Sequence, residues 1–264
     1  MSGNQSADIV EVLPFEKIRF HARYLKYYAA KRQNFMKCTQ DFRDLWDCFQ
    51  YLDDIWQNEI SDIEVIREPT QMLPSLLCRY GHSRYVVAME LGFSCCIGDA
   101  YSVIRGGIEA VAQAHRIHRE PTLTNVWTDK AKGKAEEERF KQEFEHHKAT
   151  RLFPAEHGLS ELFFYWKQFS SLGPHSGIHS VGKSFEEITA EKKISWAFHY
   201  FETDPTRLAT YLSALLQASG HMEKAFHSIF EPRLKLDAVL DGMRDRFNQK
   251  RQSQIEYLQK TYKL

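Results

Sequence analysis

Apolar residues recur at steps of three and four positions along most of this chain, which is the spacing of one face of an α-helix. One such stripe consists of Ile97, Tyr101, Ile104, Ile108 and Val111. Hydrophobic residues make up 43% of the 264 positions, enough to form a sizeable core. The pattern therefore predicts an all-α fold: a helical bundle with an N-terminal helical hairpin and a long C-terminal helix.

Prolines, glycines and capping residues divide this pattern into predicted helices. The first begins near Pro14, and Asp204 is placed to cap a helix that begins at Pro205. Residues 194–201 alternate with a period near two, which indicates either a strand or an extended loop. The other predicted helices cover about residues 41–66, 74–89, 94–119, 135–148, 159–170 and 234–264, and the helix from Pro205 extends to about residue 230.

We expect one domain over residues 1–264, in which residues 15–67 form the N-terminal hairpin and residues 234–264 form a C-terminal arm. Residues 15–37 hold seven basic side chains and one acidic one, whereas residues 38–68 hold nine acidic and two basic ones. Adjacent segments of opposite net charge favour an antiparallel helical hairpin, in which the charges of the two helices neutralise each other. A basic face for RNA or another acidic partner is the alternative.

Composition also bears on location and partners. The net charge is zero, so the chain as a whole has no electrostatic footprint for nucleic acid. Residues 1–8 lack the features of a signal peptide, and no stretch approaches the ~18 apolar residues of a membrane span. The five cysteines are odd in number and form no Cys-x-x-Cys, which predicts reduced thiols and a cytoplasmic protein without a membrane partner.

A charged pair within an apolar helix is the first candidate for chemistry. Arg105 and Glu109 are one turn apart, with Gly106 and Gly107 between them and Ser102 one turn before. Each glycine costs about 1 kcal/mol against alanine in a helix, so a neighbouring helix or a ligand must approach this backbone. Either the pair fixes helix packing, or the guanidinium binds a phosphate or another anion.

The second candidate is the segment 170–180, which carries His175 and His179 among serines, glycines and a proline. Pro174 and Gly177 interrupt the helix that a metal-binding histidine pair would need, and no third ligand is near. We therefore expect no metal and no cofactor. General acid–base chemistry, anion binding or simple capping of a helix end are the alternatives.

Two further motifs lie on the predicted polar helix 135–148. Glu143 and His146 form half of a di-iron carboxylate site, but the second half is missing. Arg139 and His146 have six residues between them, within the Arg–His spacing of metal-independent helical ribonucleases.

These motifs resemble helical bacterial proteins related to the HEPN superfamily and its abortive-infection relatives. Arg105 and Glu109 match an Arg-x-x-x-Glu on a central helix. Ser171 with His175, or Ser176 with His179, matches a later serine–histidine segment. The resemblance covers roughly residues 75–230 and implies a core helical bundle, frequent dimerisation and, in many members, RNA cleavage in toxins or phage defence.

The resulting hypothesis is a metal-independent ribonuclease with Arg105, Glu109, His175 and His179 as catalytic residues. Ser102, Ser171 and Ser176 would bind the substrate. The alternative is a non-catalytic binding or scaffold protein that recognises an anion or a partner protein, or a regulator that acts through its C-terminal arm. Because that arm carries an apolar stripe from Leu236 to Tyr262, we also expect a homo-oligomer.

Overall fold

The computed structural model describes residues 21–63, 66, 68–145, 149–172, 185–190, 193–198, 200–234 and 238–262. It confirms the predicted helical bundle. In chain order the elements are α1 (Ala22–Asp41), α2 (Arg43–Asp62), α3 (Pro69–Phe93), α4 (Ile97–Arg119), α5 (Leu123–Asp129), α6 (Lys134–Phe144), α7 (Ala149–Leu152), α8 (Ser160–Leu172), β1 (Phe185–Ala190), β2 (Lys193–Phe198), α9 (Pro205–Phe230) and α10 (Ala238–Tyr262). Short 3₁₀ turns cover Ala155–His157 and Glu231–Arg233.

The alternation over residues 194–201 allowed a strand or an extended loop, and the structure has the strand β2 over Lys193–Phe198. It pairs antiparallel with β1, in a register that sets Phe185 opposite Phe198. The cap at Asp204 is also confirmed. Its carboxylate accepts hydrogen bonds from the backbone N–H groups of Thr206, at 2.8 Å, and Arg207, at 3.2 Å. These contacts satisfy two of the amide groups that a helix leaves unpaired at its N-terminus.

The predicted start of the third helix was wrong, because Pro74 lies inside α3, which begins at Pro69. A proline within a helix removes one backbone hydrogen bond and costs about 3 kcal/mol. The buried neighbours Leu73 and Leu77 pack into the core and offset that cost. Tertiary packing thus extends the helix through a residue that local preference would place at its end.

The centre of the bundle is the pair α3 and α4, which a three-residue turn joins and which pack closely along their length. A Cβ atom placed on Gly107 would lie 3.2 Å from the carbonyl oxygen of Gly81 and 3.0 Å from Cε of Met222 in α9. The double glycine therefore serves a close helix–helix contact at Gly107. A Cβ atom on Gly106 would meet no atom within 4 Å.

The N-terminal helices α1 and α2 are separated by Phe42 alone and touch through the rings of Phe35 and Trp46, 5.4 Å apart. Charged side chains of both helices form ion pairs with other helices of the bundle. Lys31 of α1 binds Glu90 of α3 at 3.0 Å, and Lys250 of α10 binds Asp47 of α2 at 2.9 Å. The opposite charges of the two segments thus attach them to the bundle.

The apolar stripe of α10 packs within the same chain, against α2 and α9. Leu240, Phe247 and Leu258 are buried, and the Arg251 guanidinium stacks on the ring of Phe247 at 5.5 Å. The helices α2 and α9 thus cover these three residues of the stripe. Leu236, where the stripe begins, lies outside the described residues, and the homo-oligomer stays a prediction. No helix in the described part of the chain is both long and apolar enough to cross a membrane.

A buried charged network attaches α10 to the core. The Arg244 guanidinium binds the carboxylates of Glu59, in α2, and Glu223, in α9. It also donates to Nε2 of His227 at 3.1 Å, so Nδ1 of that ring donates to Glu59 at 2.9 Å. Burial, and then the charge of Glu59, raise the pKa of Glu223 to about 7. One guanidinium does not fully compensate two buried carboxylates.

We predict opposite effects for the two adjacent glycines. Gly107→Ala should destabilise the protein by roughly 1–3 kcal/mol, because the added methyl group meets a backbone carbonyl and a packed methionine. Gly106→Ala should be neutral or stabilise by up to about 1 kcal/mol, because alanine favours the helix and meets open space. Urea unfolding of both variants measures this, and equal effects would contradict the packing account.

We predict that the ionisation of Glu223 lowers the free energy of unfolding as the pH rises from about 5 to 7. The folded state keeps a proton on Glu223 to about pH 7, whereas the unfolded chain loses it near 4.5. His115 acts in the opposite direction, because its pKa of about 4 in the folded state lies below its ordinary value of 6.5. The effect of Glu223 is therefore the difference between the wild type and Glu223→Gln, which keeps the neutral form, and the wild type should lose on the order of 2 kcal/mol relative to the variant across this range. Thermal unfolding across this pH range is the measurement; parallel profiles for both proteins would refute the assignment.

Candidate functional site

One face of α4 carries a line of charged residues: Arg105, Glu109, Arg116 and Glu120 follow one another at steps of four, seven and four. These steps place all of them on the same side of the helix. The helix α8 packs beside this face, and α7 contacts α4 as well. Two polar clusters result, one around Arg105 and one around Arg116.

The first cluster contains the predicted pair. Nη2 of Arg105 lies 2.9 Å from Oε1 of Glu109. The same carboxylate oxygen accepts a hydrogen bond of 2.7 Å from the indole N–H of Trp166 in α8, and the guanidinium lies 5.1 Å from the centre of that ring. The ion pair is confirmed, but its expected burial is not, because the two side chains are 24% and 33% exposed.

The predicted serines near this pair bond to their own helices. Ser102 donates to the carbonyl oxygen of Gly98 at 2.9 Å, and Ser171 donates to that of Gln168 at 2.7 Å. The remaining predicted residues, His175, Ser176 and His179, lie outside the described residues. Their convergence on Arg105 thus stays a prediction.

The second cluster surrounds a cavity of about 540 Å³ between the C-terminal turns of α4, the end of α6, and the segment from α7 to the following 3₁₀ turn. Two histidines, three arginines and three glutamates contribute to its wall. The lining residues are His115, Arg116, Arg119, Glu120, Glu143, Arg151, Pro154, Glu156 and His157. Side chains distant in sequence thus form one polar cavity.

His115 is the most unusual titratable group of this cavity. It is only 7% exposed, and its ring centre lies 5.6 Å from that of His157. Burial, followed by the charges of His157, Arg119 and His118, lowers the pKa of His115 to about 4. Its Nδ1 atom is buried and has no hydrogen-bond partner among the residues that the structure describes. At neutral pH it is therefore an uncharged imidazole with unused hydrogen-bonding capacity.

The three arginines of the cavity differ in their exposure and in their ion pairs. Arg116 is 8% exposed, and its Nη2 atom binds Oε2 of Glu143 at 2.5 Å. Arg151 reaches the same oxygen at 3.7 Å and is exposed, as is Arg119. Glu143 therefore attaches α6 and α7 to α4. An anion entering the cavity would meet Arg119 and Arg151 first.

This cavity was not predicted from the sequence. Arg151 and His157 have five residues between them and Arg139 and His146 have six, so both pairs fall within the Arg–His spacing of metal-independent helical ribonucleases. Arg139 is exposed on α6, whereas His146 lies outside the described residues. The signal was present at Arg151 and His157. By contrast, nothing in the local sequence distinguishes His115 from a residue of an ordinary helix end.

A third group, Glu59, Glu223 and His227, has three potential metal ligands within 4.8 Å of one another. Arg244 binds all three of these side chains. Its guanidinium thus occupies the position of a cation. The cluster is better explained as the network that attaches α10.

Comparisons of this chain with models of protein families, with curated protein sequences and with solved structures give no match.

Proposed function

We propose that the cavity between His115 and His157 binds a phosphodiester and supports metal-independent cleavage of RNA. One observation supports this proposal: two imidazoles and three guanidinium groups line the same cavity. The guanidinium groups belong to Arg116, Arg119 and Arg151. Imidazoles move protons near neutral pH, and guanidiniums stabilise the charge that develops on a phosphorane. This residue set fits phosphoryl chemistry without a metal.

The 2′-hydroxyl of RNA is the nucleophile of the proposed reaction, and it attacks the adjacent phosphorus as its proton leaves. His157, which is partly exposed at the cavity wall, accepts that proton. Arg119 and Arg151 bind the non-bridging oxygens, while Arg116 is held in place by Glu143. A bound phosphate would raise the pKa of His115 towards the value at which it can protonate the leaving 5′-oxygen.

Charge limits the size of the substrate. The cavity wall contains as many glutamates as arginines, and the chain has no net charge. Strong binding of long nucleic acids needs many cationic contacts with phosphates. The proposal is therefore recognition of one or two nucleotides of single-stranded RNA, with weak dependence of affinity on salt.

The Arg105 cluster belongs to this proposal as a positioning element. From Arg105 to Arg116 the α4 axis rises by roughly 16 Å, at about 1.5 Å for each residue. Arg105 is occupied by Glu109 and stacks on Trp166, and these contacts fix α8 against α4. The hypothesis that Arg105, Glu109, His175 and His179 form a HEPN-like catalytic site remains a second proposal, and it predicts activity that is independent of His157.

A non-catalytic function has one observation in its favour. Glu143 contacts both Arg116 and Arg151, so part of the positive charge of the cavity is neutralised within the protein. The positive charge that remains in the cavity would be enough for a protein that only binds a small anion, as a monomer or together with a second copy of the chain. A cytoplasmic location, inferred from the cysteines, is compatible with either function.

We predict that His157→Ala and Arg119→Ala each reduce cleavage of a short single-stranded RNA by at least about tenfold, with EDTA present throughout. Both side chains reach solvent, so the thermal midpoint should change little. Product formation on denaturing gels and calorimetric binding of a non-cleavable 2′-deoxy dinucleotide separate chemistry from binding.

Arg139→Ala is the matched control, since it removes an exposed arginine of α6 that does not line the cavity. It should keep full activity. Binding of the dinucleotide without any cleavage of RNA would support the non-catalytic alternative. Equal activity of wild type and His157→Ala would refute the role of the cavity, and loss of activity only in Arg105→Ala would favour the HEPN-like site.

A further inference from the structure

The exposed side of α1 places tyrosine rings at the surface. Tyr24 and Tyr28 are one helical turn apart and are 52% and 41% exposed, and Tyr200, in the segment after β2, is 67% exposed. A large aromatic ring gains free energy when it leaves water, so neighbouring exposed rings indicate a surface that a ligand covers. We call these three residues the tyrosine surface.

Tyr27 connects the members of this surface. Its ring centre lies 5.5 Å from that of Tyr28 and 5.7 Å from that of Tyr200, with interplanar angles of 73° and 74°. The same ring stacks on Phe201 at 5.6 Å. The half-buried ring of Tyr27 thus supports two of the exposed rings, and Tyr200 joins the cluster although it is distant in sequence.

Positive charge lies beside the tyrosine surface. The helix α1 holds five basic residues and one acidic residue. Arg23, Lys26 and Lys37 are exposed, and none of them forms an ion pair with another residue in the described part of the chain. The guanidinium of Arg23 lies 5.4 Å from the ring centre of Tyr24. Cations and aromatic rings are therefore available to the same ligand.

This surface is separate from the cavity at His115. Lys31 binds Glu90 at 3.0 Å, which holds α1 against the end of α3, close to the turn into α4. The cavity lies at the other end of α4. The axis of that helix rises by roughly 28 Å from Ile97 to Arg116, at about 1.5 Å for each residue. A ligand at α1 thus does not occupy the cavity.

We propose that the tyrosine surface and the cations Arg23, Lys26 and Lys37 bind single-stranded RNA. Every base has a π-face that stacks on an aromatic side chain, and the phosphates between the bases bind lysine and arginine. A double helix hides the faces of its bases, so exposed rings favour a single strand. A second copy of the chain would bring like charges together at α1, which opposes a dimer through this surface.

Binding at α1 does not depend on the proposed cleavage at the cavity, which takes one or two nucleotides. The α1 surface would bind further nucleotides of a longer strand. If each of the three cations contacts one phosphate, the logarithm of the binding constant falls against the logarithm of the salt concentration with a slope of about −2. A dinucleotide in the cavity should keep its weak dependence on salt.

The test measures the fluorescence anisotropy of a labelled 2′-O-methyl oligouridylate of about twelve nucleotides, within the usual site size. It has no 2′-hydroxyl, so the proposed reaction does not cleave it. The double variant Tyr24→Ala, Tyr28→Ala should lower its affinity at least about tenfold, because two stacking contacts are lost. Lys26→Ala should weaken binding and bring the slope closer to zero by about 0.7. These side chains are exposed, so circular dichroism should show an unchanged helix content.

Tyr257→Ala is the matched control, because Tyr257 is a tyrosine of α10 that is 57% exposed. It should bind the oligonucleotide as tightly as the wild type. The α1 variants should keep the wild-type affinity for the 2′-deoxy dinucleotide, so that a failure of the cavity and a failure of this surface are distinguished.

Three results would overturn the proposal. The first is an affinity for the oligonucleotide that the α1 variants leave unchanged. The second is displacement of the oligonucleotide by poly-glutamate as readily as by unlabelled oligonucleotide, which would show that charge alone is recognised. The third is binding to phosphatidylserine vesicles without binding of the oligonucleotide, which would assign the surface to a membrane.

Discussion

The close contact between Gly81 and Gly107 sets the geometry on which the rest of the molecule depends. It brings the backbones of α3 and α4 together and leaves space for Met222 of α9 to fill the groove beside them. Once α4 is held in this way, its charged face points away from α3, towards α8 and the segment after α6. Both polar clusters, at Arg105 and at Arg116, depend on this orientation.

Among the residues that the structure describes, the buried carboxylates and the buried arginine each contact a group of opposite charge. Glu59 is completely buried, and Arg244 and His227 both contact it. Glu143 compensates Arg116 in the same manner at the cavity. Where the compensation is incomplete, the buried group takes its neutral form: the raised pKa of Glu223 keeps a proton on the carboxyl group, and the lowered pKa of His115 leaves the imidazole without its charge. The two sites differ in open space, because the Arg244 guanidinium fills the cluster at Glu59 and Glu223, whereas a cavity of about 540 Å³ lies beside His115.

Sequence reasoning succeeded where a local rule was decisive. Helical periodicity, the cap at Asp204 and the pair Arg105–Glu109 each depend on neighbours within four positions. It was wrong where tertiary packing overrode such a rule, as at Pro74. The Arg–His spacing was present at Arg151 and His157, but the cavity brings His115 next to His157 across several turns and helices, so no spacing could reveal the role of His115. The hydrogen bond from the indole N–H of Trp166 to Glu109 could not be predicted for the same reason, because the two residues are distant in sequence.

The direct test of the central claim is an NMR titration of the His115 ring in the free protein and with a saturating 2′-deoxy dinucleotide. We expect a pKa near 4 in the free protein, because burial and neighbouring positive charges oppose protonation. The bound phosphodiester should raise this value, because a negative charge beside the ring favours the imidazolium. An ordinary titration near 6.5 that the dinucleotide leaves unchanged would contradict both the burial of His115 and the phosphate site.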